Sequence, residues 1–224
     1  ISGDRLYQLD KCEMAMEEYQ KGLEIEPHNI NLINSLGVCF GIMGKLDMAK
    51  LEFEKAMKIN PDELIVIYNI GLLYQIEGDI DQAILYLQKA HGSDLSIFEV
   101  ELLLGHLLIK KKHLDQAIPH LEKASRINPK SGLTFRMKGE IYLAENLPEK
   151  AGREFNTAIK LNPRDAASLS GYAKSLELQG RNLTIALTLA QKSIAIEPDN
   201  KQFKRRLKTI QKKIKDAGLP PLKN

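Results

Sequence analysis

The chain has 224 residues, a formal net charge of +3, and 43% apolar and 27% charged side chains. That balance belongs to a folded chain and excludes a disordered one. It also excludes a membrane span, because the longest apolar candidate, residues 64–74, is interrupted by Asn69 and Gly71.

In chain order, prolines close the strings IEP at Pro27, INP at Pro61, INP at Pro129, LNP at Pro163 and IEP at Pro198. Their spacings are 34, 68, 34 and 35 residues, and Leu95 fills the unmarked slot. Upstream of each landmark stands an alanine, then an aromatic or aliphatic residue four further on. These pairs are Ala15 and Tyr19, Ala49 and Phe53, Ala83 and Leu87, Ala117 and Leu121, and Ala151 and Phe155. A fixed period in this range marks a solenoid of stacked units. The units are residues 1–29 (truncated), 30–63, 64–97, 98–131, 132–165 and 166–200, followed by a helix over 201–217 and a tail over 218–224. Ile1 falls about five residues inside the first helix of its unit, so the chain is expected to be a fragment.

One unit explains why the period makes helices. Leu32, Ile33, Leu36, Phe40 and Met43 recur at three- and four-residue steps, and Gly44-Lys45 ends that helix. The second helix runs over residues 46–59 with Ala49, Phe53, Ala56 and Met57 inward, and Asn60-Pro61 stops it. Small residues at Gly37, Ala49 and Ala56 fall where helices must approach closely. Two irregularities stand out: His91-Gly92-Ser93-Asp94 replaces the Asn-Pro exit, and Asn146-Leu147-Pro148 replaces the inner Gly-Asp turn. The last full unit carries one inserted residue between Gly180 and Ala186.

These markers resemble the tetratricopeptide repeat (TPR) over about nine tenths of the chain. The Leu-Gly pair of that family reads Leu36-Gly37, Ile70-Gly71 and Leu104-Gly105, then degrades to Lys138-Gly139 and Tyr172-Ala173. The following aromatic is Phe40, Tyr74 and Tyr142, and Glu101 is the one clear departure at the early bulky slot. The resemblance implies an all-α fold of about thirteen helices: a right-handed TPR solenoid of antiparallel helix pairs with a C-terminal capping helix. It also implies that the first helix of each pair lines a concave groove. Carried over, the groove positions include Asn34, Val38, Gly41, Ile42, Ile65, Tyr68, Asn69, Leu72, Gln75, Ile76, Leu102, His106, Ile109, Arg136, Glu140 and Lys174. Tyr68 and Arg136 are the expected anchors, being of residue types enriched at binding hot spots.

No catalytic constellation emerges. Cys12 and Cys39 lack a CxxC partner and read as buried small side chains; the five histidines have no ligand cluster about them. No enzyme activity, metal or cofactor is expected. A lysine/asparagine clamp for a peptide's terminal carboxylate does not fit, because Asn34, Val38, Glu99 and Leu103 stand where its basic and amide groups belong. An apolar or helical peptide segment fits better.

Charge is concentrated at the end. Residues 201–224 carry nine Lys/Arg against Asp216, a net +8, which leaves −5 on residues 1–200. Phe203, Leu207, Ile210 and Ile214 form an apolar stripe there, the mark of a cap, while Lys204, Arg205, Lys208 and Lys212 could bind anions. Without interleaved aromatics, no nucleic-acid partner is expected. The strings ISGDRLYQ, NSLGVCFG and NPRDAASLS are similar to TPR tracts that follow diguanylate-cyclase domains in some bacterial signalling proteins. The expected function is a cytoplasmic, non-enzymatic scaffold for a protein or peptide partner, with self-association as a further expectation. The alternative is a regulatory or localisation tail of a larger signalling enzyme of that type.

Overall fold

A left-handed backbone residue recurs once per period in the computed structural model, which describes residues 3–91 and 97–218. Gly44, Gly78 and Gly180 take φ of 76°, 86° and 66°, and Lys112 and Asn146 hold the same conformation at 61° and 58°. Each stands at the turn between the two helices of a pair, where that conformation lets the chain reverse. At three of the other junctions an asparagine shapes the turn. Asn60, Asn128 and Asn162 accept hydrogen bonds at Oδ1 from the backbone N–H two residues on, at 3.1, 3.2 and 3.2 Å, bracketing the proline between.

Twelve helices and no strand result among the described residues. They are α1 (Gly3–Ile25), α2 (Ile30–Ile42), α3 (Leu46–Ile59), α4 (Leu64–Glu77), α5 (Ile80–His91) and α6 (Phe98–Lys110). Then follow α7 (Leu114–Ile127), α8 (Gly132–Ala144), α9 (Pro148–Leu161), α10 (Ala166–Gln179), α11 (Leu183–Ile196) and α12 (Lys201–Asp216). One helix fewer than expected forms, because α1 runs unbroken through Asp10-Lys11, where the other units turn. No left-handed residue interrupts it there, whereas Lys112 and Asn146 take that conformation at the equivalent turns without being glycine. Pro148 is the first residue of α9, and the inserted residue of the last pair appears as a second left-handed position at Asn182, φ 51°. Residues 92–96 and 219–224, with Leu95 and most of the His91–Asp94 exit, lie outside the described residues.

The chain divides into two compact units, Ile1–Lys111 and Lys112–Asn224. In the first, consecutive helices α1 to α6 pack on one another, and α2 also touches α4, as α4 touches α6. The second repeats the scheme, with α8 against α10 and α10 against α12. First helices thus lie side by side within each unit, which places their groove positions in register.

Close approach is built on glycine facing a large ring. A Cβ on Gly37 would lie 2.5 Å from Phe53 Cε1, so α2 and α3 can meet only while that residue is glycine. In the second unit Phe155 of α9 sits between Gly139 of α8 and Gly171 of α10, where added Cβ atoms would fall 2.9 and 2.4 Å from the ring. Phe155 is 1% exposed. Ala83, Leu87, Ile67, Val100 and Leu104 form a core shared by α4, α5 and α6. Glu101, the departure from the family pattern, is fully buried in α6.

The last helix caps the second unit. Phe203, Ile210 and Ile214 are buried, the latter two in one cluster with Ala173, Leu176, Leu187 and Ala190 of α10 and α11. Asn200 starts it by accepting from the N–H groups of Gln202 and Phe203, satisfying donors that a helix end leaves free.

Candidate functional site

An apolar pocket of the first unit lies between α2 and α4. It has a volume of about 210 Å³ and is lined by Gly37, Val38, Gly41, Ile42, Phe53, Asn69, Leu72, Leu73 and Ile76. Six of these, Val38, Gly41, Ile42, Asn69, Leu72 and Ile76, are groove positions read from the sequence. Gly37, Phe53 and Leu73 were not among them; Phe53 is held there by its contact with Gly37. Gly41 leaves the pocket open, since a Cβ there would have nothing within 4 Å. Ile76 is 65% exposed at its rim. At one side Asn69 Nδ2 donates to Asn34 Oδ1 at 2.8 Å, tying α4 to α2.

The remaining positions of this unit are close by in register but line other surface. Ile65 is exposed, and Tyr68, Gln75, Leu102, His106 and Ile109 are half-buried on α4 and α6. Tyr68 packs against the core that includes Ile67 and Leu104. Burial raises its phenol's pKa, and the negative charge of Glu99 on α6 adds to the effect. Burial lowers the His106 pKa, with Lys110 one turn on acting the same way, so the imidazole is neutral at pH 7.

In the second unit the predicted residues are committed to partners. Arg136 of α8 donates from Nη1 to Asp165 Oδ1 at 3.0 Å and lies 3.8 Å from Glu140 through Nε. Asp165 stands at the start of α10 and accepts from Ser168 Oγ at 2.6 Å, without a side-chain bond to the helix's free N–H groups. Arg136 is therefore a tie between α8 and α10, where the sequence suggested a free anchor. Burial raises the Glu140 carboxyl above its usual range, against the pull of Arg136 and with a push from Asp165.

Lys174 bonds Glu177 at 2.9 Å, and Lys213 of α12 reaches the other oxygen of the same carboxylate, also at 2.9 Å. Burial alone would raise Glu177, but these two ammonium groups outweigh it and hold it below the ordinary carboxylate range. Lys204, Arg205, Lys208 and Lys212 are exposed on α12, and Arg205 borders a cleft against α10. Arg206 escaped the sequence reading as a site residue; it turns inward and donates to Ser170 Oγ of α10. Its spacing, three after Phe203 and four before Ile210, was the signal that it belongs to the buried side.

Cys12 and Cys39 are buried free thiols on adjacent helices. Burial and a hydrogen bond with Cys12 push the Cys39 thiol up to about 12, which makes it a poor nucleophile. Among the described residues, no group of His, Cys, Asp or Glu is placed to hold a metal ion, and no helix is long and apolar enough to cross a membrane.

A model of the tetratricopeptide repeat matches residues 30–63, 65–94, 102–131 and 137–165, more than half of the chain. The chain belongs to the tetratricopeptide repeat family. Solved structures agree on the fold. YrrB, described as a TPR protein with an unusual peptide-binding site, superposes with a TM-score of 0.74 at 19% identity, covering 86% of this chain and 99% of YrrB. PilW, a type IV pilus biogenesis factor, gives 0.69 at 15% identity over 92% of this chain and 100% of its own. MamA gives 0.67 at 18% identity over 87% and 98%. No curated protein sequence matches the chain. The TPR fold generally mediates protein–protein interaction, and its members are typically non-catalytic scaffolds that bind protein or peptide partners.

Proposed function

We propose that this TPR chain is a non-enzymatic binding module that seats an apolar or helical peptide segment along its first helices, with the α2–α4 pocket as the anchor point. The pocket itself carries the reading. Its floor is the core side chains Phe53 and Leu73, its walls are Val38, Ile42, Leu72 and the exposed Ile76, its polar rim is the Asn34–Asn69 pair, and the missing side chain at Gly41 keeps it open. A leucine or aromatic side chain projecting from a peptide helix would fill it, in the manner of helix-in-groove recognition. A peptide ligand is also what YrrB is described as binding. Tyr68, Leu102, His106 and Ile109 stand outside the pocket, at groove positions of the neighbouring first helices α4 and α6, and α10 with α11 read as a further repeat beyond the four matched.

Gly41→Leu tests this. A Cβ at this position meets nothing within 4 Å, so the substitution is expected to place apolar bulk in the pocket, and replacing a helical glycine is expected to hold or raise stability by up to about 0.8 kcal/mol. Peptides selected on the native protein from a displayed library should share a large apolar residue. They should bind Gly41→Leu about tenfold or more weakly in a titration. Selected peptides that bind both proteins equally would remove the pocket from the function.

A further inference from the structure

A second recognition surface lies in the last unit, between α10 and α12, and its chemistry is opposite to that of the apolar pocket. Four cations, Lys174, Arg205, Arg206 and Lys213, gather about one carboxylate, Glu177. Both oxygens of Glu177 are taken by the two lysines, which leaves the arginines in excess. Arg206 is half-buried, and its one partner is the neutral hydroxyl of Ser170. Among the described residues no carboxylate forms an ion pair with it; burial pulls its pKa below the usual guanidinium value, against the smaller opposing pull of Glu177, whose two oxygens are already held by the lysines. A guanidinium withdrawn from water without a directly bonded anion is a costly arrangement that an incoming anion would relieve.

The space beside it has a matching shape. A cleft of about 180 Å³ is lined by Lys174, Glu177, Gln202, Arg205, Arg206 and Thr209. It adjoins a second cleft of about 270 Å³ that shares Gln202 and Arg206 and has Leu143, Phe155 and Phe203 in its walls, with Glu140 of α8 at its edge. The first offers two guanidinium groups and an amide; the second offers apolar contact at Leu143 and Phe203. We infer that the α10–α12 clefts bind an acidic protein segment, one side-chain carboxylate against Arg205 and Arg206 and a neighbouring apolar side chain against Leu143 and Phe203. Planar guanidinium groups suit a carboxylate bidentately. The apolar neighbour favours a peptide, because a free phosphate or a lipid headgroup has nothing to place there. α12 then does two things: its inner stripe closes the core, and its flank completes a site that α10 alone lacks.

The test is a fluorescence-anisotropy titration at physiological ionic strength. The probe is a short labelled peptide with a Leu-Glu-Glu run in a Gly/Ser background, beside its Leu-Gln-Gln counterpart. The glutamate peptide should bind, and the glutamine peptide should bind about tenfold or more weakly. Arg205→Gln and Arg206→Met should each weaken the glutamate peptide by about the same factor. Lys192→Gln, an exposed cation on α11, should leave it unchanged, as should Gly41→Leu, which separates this surface from the apolar pocket. Thermal melts verify that each variant is folded; if Arg206→Met is not, the exposed Arg205→Gln carries the comparison. Equal binding of the two peptides, or an equal loss in Lys192→Gln, would overturn the proposal. So would Arg205-dependent binding of phosphatidylserine vesicles or polyphosphate without binding of the glutamate peptide.

Discussion

Removing α12 by ending the chain at Asn200 is expected to give a protein that aggregates, in high salt as in low. The deletion takes away Phe203, Ile210 and Ile214, which are 5%, 0% and 8% exposed. Fully buried side chains of this size contribute about 1.5–3 kcal/mol each, so the loss approaches the whole stability of a marginal domain. It also uncovers Ala173, Leu176, Leu187 and Ala190 as one apolar end, the kind of surface that terminal elements of a repeat array exist to cover. Glu177 keeps Lys174 but loses Lys213. Size-exclusion chromatography across a salt series is the measurement. A truncated protein that stays monodisperse with an unchanged melting temperature would mean that α12 is only an electrostatic arm.

Ala83→Asp is expected to be comparably damaging to the first unit. Ala83 is wholly buried on α5, among Ile67, Leu87, Val100 and Leu104. A carboxylate there has no partner, and overpacking adds to the desolvation, so a loss of about 4 kcal/mol or more is expected. Thermal unfolding followed by circular dichroism should show the helices of this unit lost at a far lower temperature, whereas a melting curve like the parent's would place Ala83 at the surface.

What the sequence made legible is what the period repeats. Gly37 must face Phe53, and Ala83 must sit beside Leu87, because stacked pairs impose the same close contacts unit after unit, and identical constraints leave identical residues. Helix ends were readable for the same reason: Gly44, Gly78 and Gly180 meet one backbone requirement at one spacing. Single events left no such trace. The unbroken α1 runs through a position where other units turn with or without glycine, as Lys112 and Asn146 do, so residue type there does not announce it. Pro119, a residue type that ends helices elsewhere in the chain, lies inside α7 on its exposed side. The candidate site divided along the same line. The apolar pocket follows from groove positions, which recur, whereas the tie from Arg136 to Asp165 and the bond from Arg206 to Ser170 span 29 and 36 residues between particular side chains. Such polar pairs depend on which residue happens to face which across neighbouring first helices, and periodicity says nothing about that.

The central claim, that the α2–α4 pocket receives an apolar side chain of a peptide, is tested most directly by nuclear magnetic resonance. Methyl groups of the isotope-labelled protein would be followed during titration with a selected peptide. The account predicts the largest shifts at Val38, Ile42, Leu72 and Ile76, with contacts from one peptide side chain to these methyls and little change at Met48 and Leu51 on the exposed side of α3. Shifts that concentrate on α3, or that leave those four methyls unmoved at saturation, would contradict it.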